Sequence, residues 1–131
     1  MIDLTKDKDL MAGSEKDKNY CTVVAFMAVF DTDFRTANNW LCIKVGRKIR
    51  RGMLTSQVQD IFPQLTKYNY KKGPYSSQNR VTIKQFMEKH SKGRYYCLVR
   101  GHAIAIVDGE LYDFKEGLRR QITSAWRVEE R

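Results

Sequence analysis

The chain has 131 residues, of which 42% are hydrophobic and 30% charged, and a formal net charge of +9. That length suits a single domain over 1–131 with its own core, and the apolar content excludes a disordered polyelectrolyte. Cysteines at 21, 42 and 97 are too few and too scattered for a disulfide framework or paired metal-ligand spacing, so neither a metal nor a cofactor is expected. The first residues lack the apolar segment of a secretory signal, and no apolar run is long enough to cross a bilayer. The sequence therefore points to a reduced, cytoplasmic protein with no membrane partner, of a size compatible with a small bacterial or phage protein.

Residues 1–18 are polar and charged and read as a loosely held lead-in. Next, Asn19-Tyr20-Cys21-Thr22-Val23-Val24-Ala25-Phe26-Met27-Ala28-Val29-Phe30 is a nearly unbroken apolar run of helical length. A helix that is apolar on all sides belongs inside a core. Asn19 is its expected N-cap. A cysteine in the first turn meets the positive end of the helix dipole, which favours thiolate over thiol. Free cysteine also fills buried space without reacting, so Cys21 needs partners before it counts as a nucleophile.

Asp31-Thr32-Asp33 reads as a turn followed by a second N-cap. Phe34, Ala37, Trp40 and Leu41 follow at helical spacing, and Gly46 sits where a C-cap glycine belongs. An amphipathic helix over 33–45, packed on the first, is expected. Arg47-Lys48-Ile49-Arg50-Arg51-Gly52 is a basic loop, and Thr55 or Ser56 caps a short helix ending near Pro63. Residues 66–80 read as loop or irregular strand. Thr82 caps another helix, with Ile83, Phe86 and Met87 inward. The texture then changes to strand at Tyr95-Tyr96-Cys97-Leu98-Val99, breaks at Arg100-Gly101, and resumes at His102-Ala103-Ile104-Ala105-Ile106-Val107. Asp108-Gly109 is a strong hairpin signal, with Glu110 to Phe114 as the returning strand and 121–128 as the last. Helices first and an antiparallel sheet second make an α+β pattern.

The hairpin fixes a register. With Asp108-Gly109 as its loop, Ile106 faces Leu111 and Ile104 faces Asp113. His102 shares the face of Ile104, so His102 and Asp113 become diagonal neighbours. A carboxylate beside an imidazole holds its tautomer and stabilises its cation. The same face runs on through Ile106 and Leu111, and the apolar Cys21 helix is the expected cover for it. A cysteine nucleophile needs a base, and the base needs an orienting group. Cys21, His102 and Asp113 are the candidates for those roles.

In this order of parts the chain resembles the papain-like cysteine peptidase superfamily, especially its small, compact members. Asn19 to Ala25 looks like the nucleophile helix, Gly101 to Gly109 like the histidine strand, and Leu111-Tyr112-Asp113 like the strand of the orienting acid. The likeness runs over about residues 19–128. It implies a papain-like α+β fold, N-terminal helices packed on a C-terminal antiparallel sheet, and Cys-His-Asp thiol chemistry on an acyl group. Papain-like enzymes usually place a glutamine six residues before the nucleophile to help the oxyanion hole. Here Glu15 stands there, and its charge opposes an oxyanion. Asn19 is the substitute donor, beside the Cys21 backbone N–H.

The charge is uneven. Residues 44–80 carry nine basic groups against Asp60 alone, while residues 1–43 carry five basic and seven acidic groups. Lys44, Arg47, Lys48, Arg50 and Arg51 are candidate polyanion-binding residues, with Tyr68, Tyr70 and Tyr75 available for stacking on nucleic acid. A solvated basic face explains the same charges. Two readings result. One is a cysteine-dependent hydrolase, a peptidase or isopeptidase acting on a peptide or protein, whose three residues also suit acyl transfer or deamidation. The other is a weak or inactive papain-like fold that binds nucleic acid or a partner protein.

Overall fold

The computed structural model describes residues 1–131. In chain order the elements are α1 (Cys21–Phe30), α2 (Phe34–Val45), α3 (Thr55–Gln59), β1 (Tyr68–Lys72), β2 (Val81–Thr82), α4 (Ile83–Lys89), β3 (Arg94–Val99), β4 (His102–Val107), β5 (Glu110–Tyr112) and β6 (Gln121–Glu130). The strands form one sheet in the order β1-β6-β3-β4-β5, with the short β2 also on β6. All of these pairings are antiparallel. The fold is α+β, and no helix is long and apolar enough to cross a membrane.

Local signals set most element ends. Asp33 caps α2 by accepting the Thr36 N–H at 2.9 Å, and Gly46 closes it in the left-handed region at φ +72°. Thr82 and Gln85 form a reciprocal capping box at the start of α4. Asp108 and Gly109 both adopt positive φ, +50° and +79°, as a type I′ hairpin turn requires. The turn delivers the expected register, Ile106 opposite Leu111 and Val107 opposite Glu110.

The core lies on both faces of the sheet. On one face α1 is sandwiched between the sheet and α2, and eight of its ten residues are buried. Phe26 packs on Trp40 with ring centroids 5.1 Å apart, and Phe62 stacks on Trp126 at 4.7 Å. Val23, Val29 and Met27 are at most 1% exposed. Each such side chain contributes about 1.5–3 kcal/mol of burial free energy. On the other face, Ile104, Ile106, Leu111 and Ile122 form a second cluster with Ile83 and Phe86 of α4.

The structure departs from three expectations. The Ile104–Ile106–Leu111 face is covered by α4, while α1 takes the opposite face at Ala103 and Ala105. Alanines leave room for a helix to approach closely, whereas the bulky even-numbered positions fill the space under a shorter helix. The N-cap of α1 is Tyr20, without a side-chain cap bond, and not Asn19. The lead-in is also no loose tail. Ile2 bridges to Tyr112, its N–H donating to the Leu111 carbonyl at 2.8 Å and its own carbonyl accepting the Asp113 N–H at 3.0 Å. Met11 and Asp17 are buried.

Candidate active site

The β3–β4 connection is two residues long, Arg100 and Gly101, with Gly101 at φ +69°. It places His102 as the first residue of β4, at the end of the sheet where α1 begins. Asp113 follows the last residue of β5. His102 and Asp113 are both buried, and His102 Nε2 donates to Asp113 Oδ1 at 2.6 Å. The imidazole packs edge-on to Phe114, with ring centroids 5.2 Å apart.

Asp113 is held from several sides. Its Oδ1 also accepts the Phe114 N–H at 2.7 Å and the Lys115 N–H at 3.3 Å. Its Oδ2 accepts from Arg120 Nη2 at 2.6 Å. Arg120 is fixed in turn by the Gly117 and Lys115 carbonyls, at 2.9 and 3.0 Å. Burial alone raises a carboxyl, but the His102 and Arg120 bonds outweigh it and hold Asp113 below the usual carboxylate range. Arg120 escaped the sequence reading. The only local cue is an Arg119-Arg120 pair in the β5–β6 loop, and charge pairs in loops are ordinary.

With Nε2 committed to Asp113, Nδ1 is the ring nitrogen left for Cys21. Burial works against the Cys21 thiolate. The His102 ring and the Ala103 N–H outweigh it, with help from the imidazole charge and the Thr22 N–H, and the thiol sits below its ordinary value. Burial likewise lowers His102, and its bonds to Asp113 and Cys21 overcome this to raise it. A lowered thiol beside a raised imidazole is the electrostatic condition for a thiolate–imidazolium pair. The uncapped N–H groups of the first turn of α1 add the positive end of the helix dipole. Cys97, wholly buried without such partners, is pushed up by burial. Cys42 is half-buried, and its thiol donates to Asn38 Oδ1 at 3.7 Å.

Cys21 and His102 line an open cleft of about 420 Å³ between the start of α1, the loop before α3 and the ends of β3, β4 and β6. Asn19 lines it too. One N–H of its side-chain amide donates to the Arg50 carbonyl at 2.9 Å, which anchors the group and leaves its other N–H available. Glu15 is exposed and outside the cleft wall, where it accepts the Gly13 N–H at 3.3 Å.

Within the basic segment, Lys44, Lys48, Arg50 and Arg51 are exposed, but Arg47 is not a polyanion contact. Its side chain is fully buried and lies 2.9 Å from Asp17 Oδ2. Only Oδ1, at 3.1 Å, receives it in hydrogen-bonding geometry. Arg47 also donates to the Asn19 carbonyl at 3.0 Å and to Asn38 of α2. It ties the segment before Cys21 to the second helix. His90 caps the end of α4 on the far face of the sheet, with Tyr75 and Tyr95 hydroxyls on its two ring nitrogens.

The chain matches no family model, no curated protein and no solved structure.

Proposed function

We propose that this protein is a cysteine-dependent acyl hydrolase of papain-like arrangement, a peptidase or isopeptidase, with Cys21 as nucleophile, His102 as acid and base, and Asp113 as the orienting group. The observation that supports it most is the buried His102–Asp113 bond of 2.6 Å behind the cleft wall, with His102 lining the cleft beside a thiol lowered by the same imidazole.

The chemistry follows from the pairings. The Cys21 thiolate attacks the substrate carbonyl carbon, and the Sγ–C bond forms. The oxyanion is met by the Cys21 backbone N–H and the free N–H of the Asn19 amide. The C–N bond then breaks, and the amine leaves with the proton of the His102 imidazolium. Water enters, His102 takes one of its protons, and the hydroxide attacks the thioester. The Sγ–C bond breaks, the acid departs, and the thiolate–imidazolium pair is restored. Asp113 keeps Nε2 protonated and stabilises the cation throughout, without itself taking the proton. An amine or a side-chain amide in place of these partners turns the same steps into acyl transfer or deamidation.

The test is brief exposure to iodoacetamide near neutral pH, followed by peptide mapping. Cys21 is expected to label first, ahead of Cys42 and Cys97. Labelling of Cys42 at the same rate as Cys21 sinks the proposal.

A further inference from the structure

The wall of the Cys21 cleft carries three cations, Lys18, Arg100 and Lys115, and no aspartate or glutamate. All three are exposed, and none takes part in an ion pair. They come from three separate places around the triad. Lys18 stands before α1, Arg100 is in the β3–β4 turn beside His102, and Lys115 follows Asp113. Asp113 offers no neutralising surface, because it is buried and both its oxygens are engaged.

The surroundings extend the same sign. Residues 34–59 contain no acidic side chain, and the exposed Lys48, Arg50 and Arg51 lead into Gly52 and Met53 of the cleft wall. The floor is different in character, with Met53 and Leu98 supplying apolar surface above the buried Val58. A cleft with one sign of charge at its rim and low-dielectric walls concentrates ligands of the opposite sign.

We propose that the site takes acidic polypeptide segments, with carboxylates flanking the scissile carbonyl and an apolar side chain seated against Met53 and Leu98. This rests on Cys21 being the nucleophile of the proposed hydrolase. A polypeptide brings a carbonyl to Cys21 and carboxylates to the rim together, whereas a nucleic acid meets the rim but offers the thiol no acyl carbon.

The experiment uses three peptide chloromethyl ketones of equal length that share a terminal leucine and differ only in flanking Asp, Asn or Lys. Rates of Cys21 labelling are compared at low ionic strength. The Asp probe is expected to react about tenfold faster than the Asn probe, and the Lys probe slowest, as electrostatic enrichment predicts. In the Lys18→Gln, Arg100→Gln, Lys115→Gln variant, and in the unaltered protein at high salt, the Asp-to-Asn ratio falls towards one. Equal rates for the three probes, with iodoacetamide still selecting Cys21, overturn the substrate inference and leave the nucleophile standing. Failure of iodoacetamide to select Cys21 overturns both. If a single-stranded oligonucleotide blocks the Asp probe far better than polyglutamate at equal charge concentration, the rim is a nucleic-acid surface and the inference falls.

Discussion

The cleft at the start of α1 and the α4 side of the sheet each hold a cysteine and a histidine, and the pKa shifts of the two pairs run in opposite directions. At the cleft, Cys21 is lowered and His102 is raised. On the α4 side, Cys97 is raised and His90 is lowered. Burial acts on all four groups and opposes their charged forms. The cleft adds a carboxylate to the imidazole and an imidazole to the thiol. His90 has tyrosine hydroxyls on both nitrogens, and beyond burial the nearby Arg127 and Lys89 push it down further. Cys97 has apolar neighbours and nothing to stabilise a thiolate. Residue type is the same in both places, and the partner groups decide which pair is poised for chemistry.

The largest test of this contrast is His102→Ala. Hydrolysis, or Cys21 acylation by an activated peptide ester, is expected to fall by about a hundred- to ten-thousand-fold, the range for loss of a positioned acid and base. His90→Gln in the same assay serves as the comparison. Equal losses in the two variants break the contrast.

Next in size is the support beneath the proposed nucleophile. Arg47→Ala strands the buried Asp17 carboxylate and releases the Asn19 carbonyl. Breaking such a pair costs about 3–5 kcal/mol, so denaturant unfolding should shift by that amount. Lys48→Ala, at an exposed neighbour, should shift it by less than about 0.5 kcal/mol. An Arg47→Ala protein as stable as the parent contradicts the assigned clamp.

Arg120→Gln is expected to slow acylation about tenfold, the scale of one charge-assisted hydrogen bond. Its diagnostic is the pH profile. Asp113 sits below the usual carboxylate range, so its contribution is present above that range and lost as pH falls through the lowered folded value. Without Arg120 the folded value rises, and the acid limb of the profile should move to higher pH. Slower acylation with an unmoved limb would leave Arg120 a purely structural residue.

The smallest expected effect is His90→Gln itself. Its distance from the cleft predicts Cys21 labelling within about twofold of the parent, because well-separated sites act nearly independently. A larger change would mean that the two faces of the sheet are coupled.

What could be read in advance was local. Asp33 and Gly46 bracketed α2, Thr82 and Gln85 opened α4, and the Asp108-Gly109 turn set the strand pairing that brings His102 near Asp113. Each of these rests on contacts a few residues apart. The features that escaped join distant parts of the chain. Arg47 finds Asp17 across 30 residues, and nothing near Arg47 separates it from the exposed basic residues beside it. Ile2 pairs beside β5 at the far end of the sequence, in a stretch whose composition looks like a tail. Alternation along β4 gave two faces correctly but could not say which helix covers which. That was settled by volume, with α1 against Ala103 and Ala105 and the isoleucines under α4. His102 and Asp113 share a face whichever helix covers it, and His102 still meets Cys21 because it is the first residue of β4, where the assignment of faces constrains a side chain less.

The proposed hydrolase requires Cys21 and His102 to rest as a thiolate–imidazolium pair, with the thiol proton on the imidazole. The most direct measurement is the thiolate ultraviolet absorbance as a function of pH, taken as the difference between the parent protein and Cys21→Ala, and repeated with His102→Ala as the parent. Such a pair gives a Cys21 midpoint below the ordinary thiol range that moves up when His102 is removed. A midpoint at or above that range, or one that His102→Ala leaves in place, would contradict it.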